Sequence, residues 1–133
     1  MQAAAVDRPA AQASYAIQAR NLKRLVEAGM TIAHGSDGRN PWAPHLEMED
    51  MVAAGLTPAQ VIVAATRNSA DLIGLTDVGT LQPGKIADLI VLDANPLDDI
   101  TNTRRIDAVY LRGVLVDRAA VSARLLGGAA RTP

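Results

Sequence analysis

Residues 32–45 read IAHGSDGRNPWAPH and hold the only two histidines of the chain, His34 and His45, with Asp37 between them. Two imidazoles and a carboxylate are a plausible ligand set for zinc or manganese. A metal that activates water needs about three protein ligands, an open coordination position and a nearby carboxylate. His34 and Asp37 converge if the Gly35-Ser36 backbone turns sharply. His45 reaches them if the loop folds back, and Glu47 and Glu49 just beyond it are a further ligand or base. Each residue also has a plainer reading. His45 sits where the first turn of a helix begins. His34, at the end of an apolar run, can bond a neighbouring loop. Asp37 in Gly-Ser-Asp-Gly is a good turn former or N-cap. Ser36 is a poor nucleophile candidate, since GSDG is not the Gly-x-Ser-x-Gly elbow and no base is in relay.

The elements that would position these groups follow from periodicity. Residues 10–28 carry Ile17, Leu22, Leu25 and Val26 near one face and read as a helix stopped by Gly29. MTIA (30–33) reads as a short buried strand. Gly35, Gly38, Pro41 and Pro44 make residues 35–44 a loop. HLEMEDMVAAG (45–55) is a second helix with Leu46, Met48, Met51 and Val52 on its apolar side. Thr57, Pro58 and Gln60 form a Thr-x-x-Gln capping box, which starts a third helix expected to run from Pro58 to about Ile73 and to stop at Gly74.

Beyond residue 78 the period shortens. Residues 79–93 hold two extended runs around Pro83-Gly84, with Asp88 interrupting the second. A carboxylate there must find a bonding partner. Residues 106–117 alternate around Gly113 as a hairpin. ANPLDDITNTRR is a polar connection in which Asp98 and Asp99 have turn and solvent roles, and Lys85 is a turn lysine. Arg67 and Asn68 anchor the third helix against neighbouring loops. The tail from 118 starts as a helix, and GGAARTP frays. The fold class is α/β (α+β) in three parts: a helix–strand–helices segment over 1–78, a small β subdomain over 79–117 and a tail over 118–133.

Composition narrows the function. The 133 residues are 49% hydrophobic and carry 13 basic and 14 acidic side chains, with no basic stripe. Nucleic-acid binding therefore has no electrostatic support. There is no cysteine, so disulfides and thiolate chemistry are excluded. No apolar run nears the roughly 20 residues of a membrane span, and the N-terminus lacks the features of a signal peptide. A cytoplasmic location is the expectation.

Four stretches together resemble the C-terminal end of a metal-dependent amidohydrolase of the imidazolonepropionase- and prolidase-like branch. NLKRLVEAGMTIAHGSD resembles its last barrel helix and eighth strand. EMEDMVAAGLTPAQVIVAATRNSADLIGL resembles the helices that follow. VGTLQPGKIADLIVLDANPLDDI resembles the return into a small β-sandwich, and VYLRGVLV resembles that sandwich's closing hairpin. The resemblance implies a remnant of a (β/α)8 barrel and one or two divalent metals, commonly zinc, that activate water against an amide, ester, lactone or phosphorus centre of a small-molecule substrate. It places Asp37 as metal ligand and proton handler, and His34 and His45 remain ligand candidates from their types and spacing alone. The His-x-His of the first strand, the bridging Lys or Glu and the two histidines of the middle strands have no counterpart here. A lone barrel strand cannot close a barrel. The resemblance therefore implies a homo-oligomer or a complementary barrel chain, with a non-catalytic assembly role as the alternative.

Overall fold

The computed structural model describes residues 8–37 and 40–128. Helix α1 spans Arg8–Glu27, α2 spans Ala43–Ala53, and α3 spans Pro58–Val63. Without a break in the chain direction, α3 passes into a π turn (Ala64–Asn68) and then α4 (Ser69–Leu72). The expected single helix from 58 to 73 is thus present, with one wide turn in its middle. Its start is the capping box read from the sequence: Gln60 N donates to Thr57 Oγ1 at 3.2 Å, and Thr57 N donates to Gln60 Oε1 at 2.8 Å.

The second half is a three-stranded antiparallel sheet in the order β1-β2-β3, with β1 at Leu89–Leu92, β2 at Ile106–Leu111 and β3 at Val114–Leu115. Arg112 and Gly113, both at positive φ (52° and 79°), make the two-residue turn of the β2–β3 hairpin. A 3-10 helix over Ile100–Arg104 joins β1 to β2. Its cap is Asp99, whose Oδ1 accepts from Thr101 N at 2.9 Å. Asp88 finds the partner its position demanded: its Oδ1 accepts from Arg112 N at 2.6 Å and ties the start of β1 to the hairpin turn. The chain after Asp117 enters α5 (Arg118–Gly128), and Asp117 Oδ1 accepts from Ala120 N. The expected fraying of GGAARTP falls largely outside the described residues.

Two expected strands do not form. Residues 79–82, the first run before the Pro-Gly turn, have no strand partner. The MTIA segment is also outside any ladder: residues 30–37 are neither helix, turn, bend nor strand. Its apolar pattern is strand-like, but a strand needs a neighbouring backbone, and no described strand lies beside it.

The core is small. Met51, Leu56, Val61, Ala64 and Ile100 form one buried cluster, with Leu22, Val26, Ile32, Met48, Val52 and Ile62 packed around it. Among the described residues only Val61 is fully buried. Ile100 comes from the 3-10 helix, so the connection between the strands is seated on α2 and α3. Tyr15 adds one bond from α1, its hydroxyl donating to Asp50 O at 3.1 Å. Burial, reinforced by the nearby Asp50 and Glu47 carboxylates, raises that phenol's pKa above its ordinary 10.0. None of the described helices is long and apolar enough to cross a membrane.

Candidate functional site

The chain leaves α1 at Gly29, whose φ of +81° is the left-handed conformation that terminates helices and that other residues adopt at a cost. Gly29 N bonds Val26 O, and Met30 N reaches back to Leu25 O at 3.0 Å. This reversal aims residues 30–37 along the π turn. Three side-chain or backbone groups there hold the segment. Asn68 Nδ2 donates to Ile32 O at 2.9 Å. His34 N is shared between Ala64 O at 3.1 Å and Ser69 Oγ at 3.2 Å. Ser69 Oγ directs its own hydrogen to Ala64 O at 2.7 Å, nearer than His34 O at 3.3 Å. The segment that carries His34 and Asp37 is therefore fastened to a helix by polar groups.

The two histidines are fixed by different neighbours. His34 Nε2 lies 3.0 Å from Pro44 O. A carbonyl only accepts, so Nε2 is the donor. His45 Nδ1 lies 3.1 Å from Thr103 Oγ1, and the Thr103 hydroxyl hydrogen is directed to Ile100 O at 2.8 Å. Nδ1 of His45 is thus the donor, which leaves its Nε2 as an acceptor. A hydrogen bond that fixes the tautomer of an imidazole is the arrangement that readies the other nitrogen for a ligand.

Around His45 lies a charged and aromatic cluster. Arg104 pairs with Glu49, and its guanidinium sits 5.9 Å from the Trp42 ring centroid. The Trp42 and His45 rings are 6.1 Å apart, tilted by 48°. Burial chiefly, then the Arg104 charge, holds the His45 pKa below its ordinary 6.5. Glu49 opposes this, and His34 adds slightly to it. His45 is therefore the neutral base at pH 7.

Asp37 stands apart. It is exposed and makes no hydrogen bond or ion pair among the described residues. No group of three or more histidine, aspartate or glutamate side chains is placed to hold a metal ion among the described residues. The described side chains thus do not by themselves fit a divalent ion. The structure brings the two histidines into mutual electrostatic range and leaves Asp37 turned to solvent.

Sequence reasoning found Asn68 as an anchor but missed Ser69, Thr103, Arg104 and Trp42. Thr103 meets His45 across 58 residues of sequence, and no local signal announces such a contact. The Asp99 cap was the one available clue that residues 100–104 form an ordered helix.

Comparison with known proteins gives a consistent answer. The imidazolonepropionase of Deinococcus deserti is 36% identical over 87 residues, covering 61% of this chain and 22% of that protein. The chain therefore spans under a quarter of that relative's length. Among solved structures, phenylurea hydrolase B superposes with a TM-score of 0.67 at 34% identity over 75% of this chain and 27% of that one. A Xaa-Pro dipeptidase with bound methionine in the active site superposes with a TM-score of 0.69 at 31% identity over 74% of this chain and 25% of that one. The model of the amidohydrolase family matches residues 2–116, which include the Gly-Ser-Asp loop, both histidines, helices α1 to α4 and the sheet. The chain belongs to the amidohydrolase family.

Proposed function

We propose that this chain is part of a metal-dependent hydrolase, and that its role is to present Asp37 and its loop at the reacting centre. The observation that carries the reading is the family match over residues 2–116, in which Asp37 ends a segment that the π turn holds in place. The superfamily generally uses divalent metals, and zinc, or else manganese, is the ion proposed here. Asp37 is a metal ligand and proton handler in this reading. His34 and His45, each with one ring nitrogen bonded and the other without a hydrogen-bond partner among the described residues, are the supporting ligands in this reading.

The described side chains do not assemble an ion site, and in this reading further protein, either another copy or a complementary barrel chain, completes the set. The helix–segment–helix half then stands where the last unit of a (β/α)8 barrel would stand. The substrate is a small molecule. Imidazolonepropionase, Xaa-Pro dipeptidase and phenylurea hydrolase are names that share a carbonyl carbon bonded to nitrogen. A carboxamide, cyclic amide or urea linkage is the proposed target.

The test is metal analysis of the purified protein, with dipeptide, lactone and urea hydrolysis assayed before and after chelation and in Asp37→Asn. Bound zinc or manganese is expected, together with activity lost on chelation and in the variant. Activity that Asp37→Asn leaves intact would overturn the assignment of Asp37. A metal-free preparation with full activity would overturn the metal-dependent reading.

A further inference from the structure

The stretch that carries Asp37 is fastened at both ends, by different parts of the chain. Its entry is held from the π turn, where Asn68, Ala64 and Ser69 meet Ile32 O and His34 N. Its exit is held from the 3-10 helix between β1 and β2. There His45 Nδ1 meets Thr103 Oγ1, and Arg104 pairs with Glu49 while its guanidinium lies 5.9 Å from the Trp42 ring centroid. The chain makes these contacts with itself, so they do not depend on what else surrounds it.

The 3-10 helix is a firm base for such a grip. Asp99 caps its start, with Oδ1 accepting from Thr101 N. Asn102 Nδ2 donates to Asn95 O at 2.9 Å, and Asp93 N donates to Arg105 O at 2.8 Å, which braces its end against the chain leaving β1. Ile100 seats it in the core cluster. Trp42 is held more locally. Its N donates to Asn40 Oδ1 at 2.9 Å, and its O accepts from Leu46 N in the first turn of α2. Arg104 is the contact that ties its ring to the 3-10 helix. Positions 42, 45 and 49 are spaced as i, i+3 and i+7, so Trp42, His45 and Glu49 share the side of α2 that faces Thr103 and Arg104.

Arginine suits this place. Its guanidinium is planar, so it can bind a carboxylate through its edge and lie against an aromatic ring at once. The distance to Trp42 is inside the ~6 Å over which a ring attracts a cation. We propose that Arg104 is a positioning residue for Asp37: by gripping Glu49 and Trp42 together, it fixes where the Asp37 loop enters α2. A loop with both ends fixed samples fewer conformations than one with a free end, so Asp37 is confined from a side chain of the β subdomain. The catalytic consequence rests on the proposed place of Asp37 at the reacting centre, whereas the positioning is measured without hydrolysis.

Backbone amide relaxation of the full chain, read at Gly35, Ser36 and Asp37 and at the residues of β2, tests it beside thermal melts. In Arg104→Ala the order parameters at 35–37 should fall while those of β2 and the melting midpoint hold. Arg104→Lys keeps the charge opposite Glu49 but lacks the planar group, so it should fall between the two. Trp42→Leu removes the ring and spares the Arg104–Glu49 pair. It should loosen 35–37 by itself, and Arg104→Lys should add nothing in that background. In a preparation that hydrolyses a dipeptide or a urea, Arg104→Ala should lower kcat about tenfold with KM nearly unchanged. A preparation without hydrolysis counts against the hydrolase reading alone, and relaxation then decides the role of Arg104. Unchanged order at 35–37 in Arg104→Ala overturns the proposal. So does a loss of order in β2 as large as that at 35–37, or an Arg104→Lys variant indistinguishable from the parent.

Discussion

Replacing Asn68 by alanine deletes the Nδ2–H that holds Ile32 O at 2.9 Å. The net worth of such a bond is about 1 kcal/mol, and a half-buried carbonyl left without a partner raises the cost toward ~1–3 kcal/mol. Ile32 packs on the core cluster, and its neighbour His34 is tied to Ala64 and Ser69, so the loss falls on the segment leading to Asp37. The neighbouring bonds from His34 N remain, so the loosening is local and the global fold persists. Urea unfolding should show Asn68→Ala about 1–2 kcal/mol less stable. Exchange at the His34 amide should rise more than at the amides of α2. Asn68→Asp should be worse than alanine, because it places a carboxylate oxygen against a carbonyl oxygen. The Asn68→Ala, Ser69→Ala double mutant should depart from additivity by about 0.5 kcal/mol or more, since both side chains hold one segment. A loss under about 0.3 kcal/mol, with His34 exchange unchanged, refutes the view that these side chains fix the segment.

Other consequences can be measured directly. Thr103→Val removes the acceptor for His45 Nδ1, and the imidazole nitrogen resonances should then report loss of the single tautomer. Gly79 lies at φ +83°, and a Cβ there would stand 2.8 Å from Ala70 Cβ and 3.1 Å from Arg67 Cα. Gly79→Ala should therefore cost about 2 kcal/mol or more in a denaturant melt, from the left-handed backbone plus the contact. The Asp99 pKa is held below its ordinary 3.8 chiefly by the Thr101 amide. Its cap contributes in full above pH 3.8 and is lost as pH falls through the depressed value. Circular dichroism at acid pH should show Asp99→Asn, which still accepts from Thr101, with a shallower loss over that window.

The helices were legible because their signals are local. Thr57, Pro58 and Gln60 specify a start within four residues, and Gly29 and Gly74 specify stops. The β2–β3 hairpin was legible from alternation around Gly113. The π turn was not, because Ala64–Asn68 has no residue that forbids an ordinary helix. MTIA was misread as a strand because pattern reports burial and not pairing: Asn68, Ala64 and Ser69 hold Ile32 O and His34 N from one side, and no described strand pairs with the segment. For the candidate site, the sequence offered Asp37, His34 and His45 as residue types in one short stretch. What holds each histidine was hidden, because Pro44, Thr103 and Arg104 act through tertiary contact.

The π turn also constrains how this sequence can change length. Each helical residue advances the chain by about 100° around the axis. Deleting one residue from 64–68 would restore a regular helix and add local order. It would also swing Ser69 and everything after it out of line with His34, or strand Asn68 away from Ile32. An aligned family should therefore tolerate insertions in the 40–42 loop more readily than a deletion that straightens this helix. A straighter helix here would be a better helix that had let go of the loop.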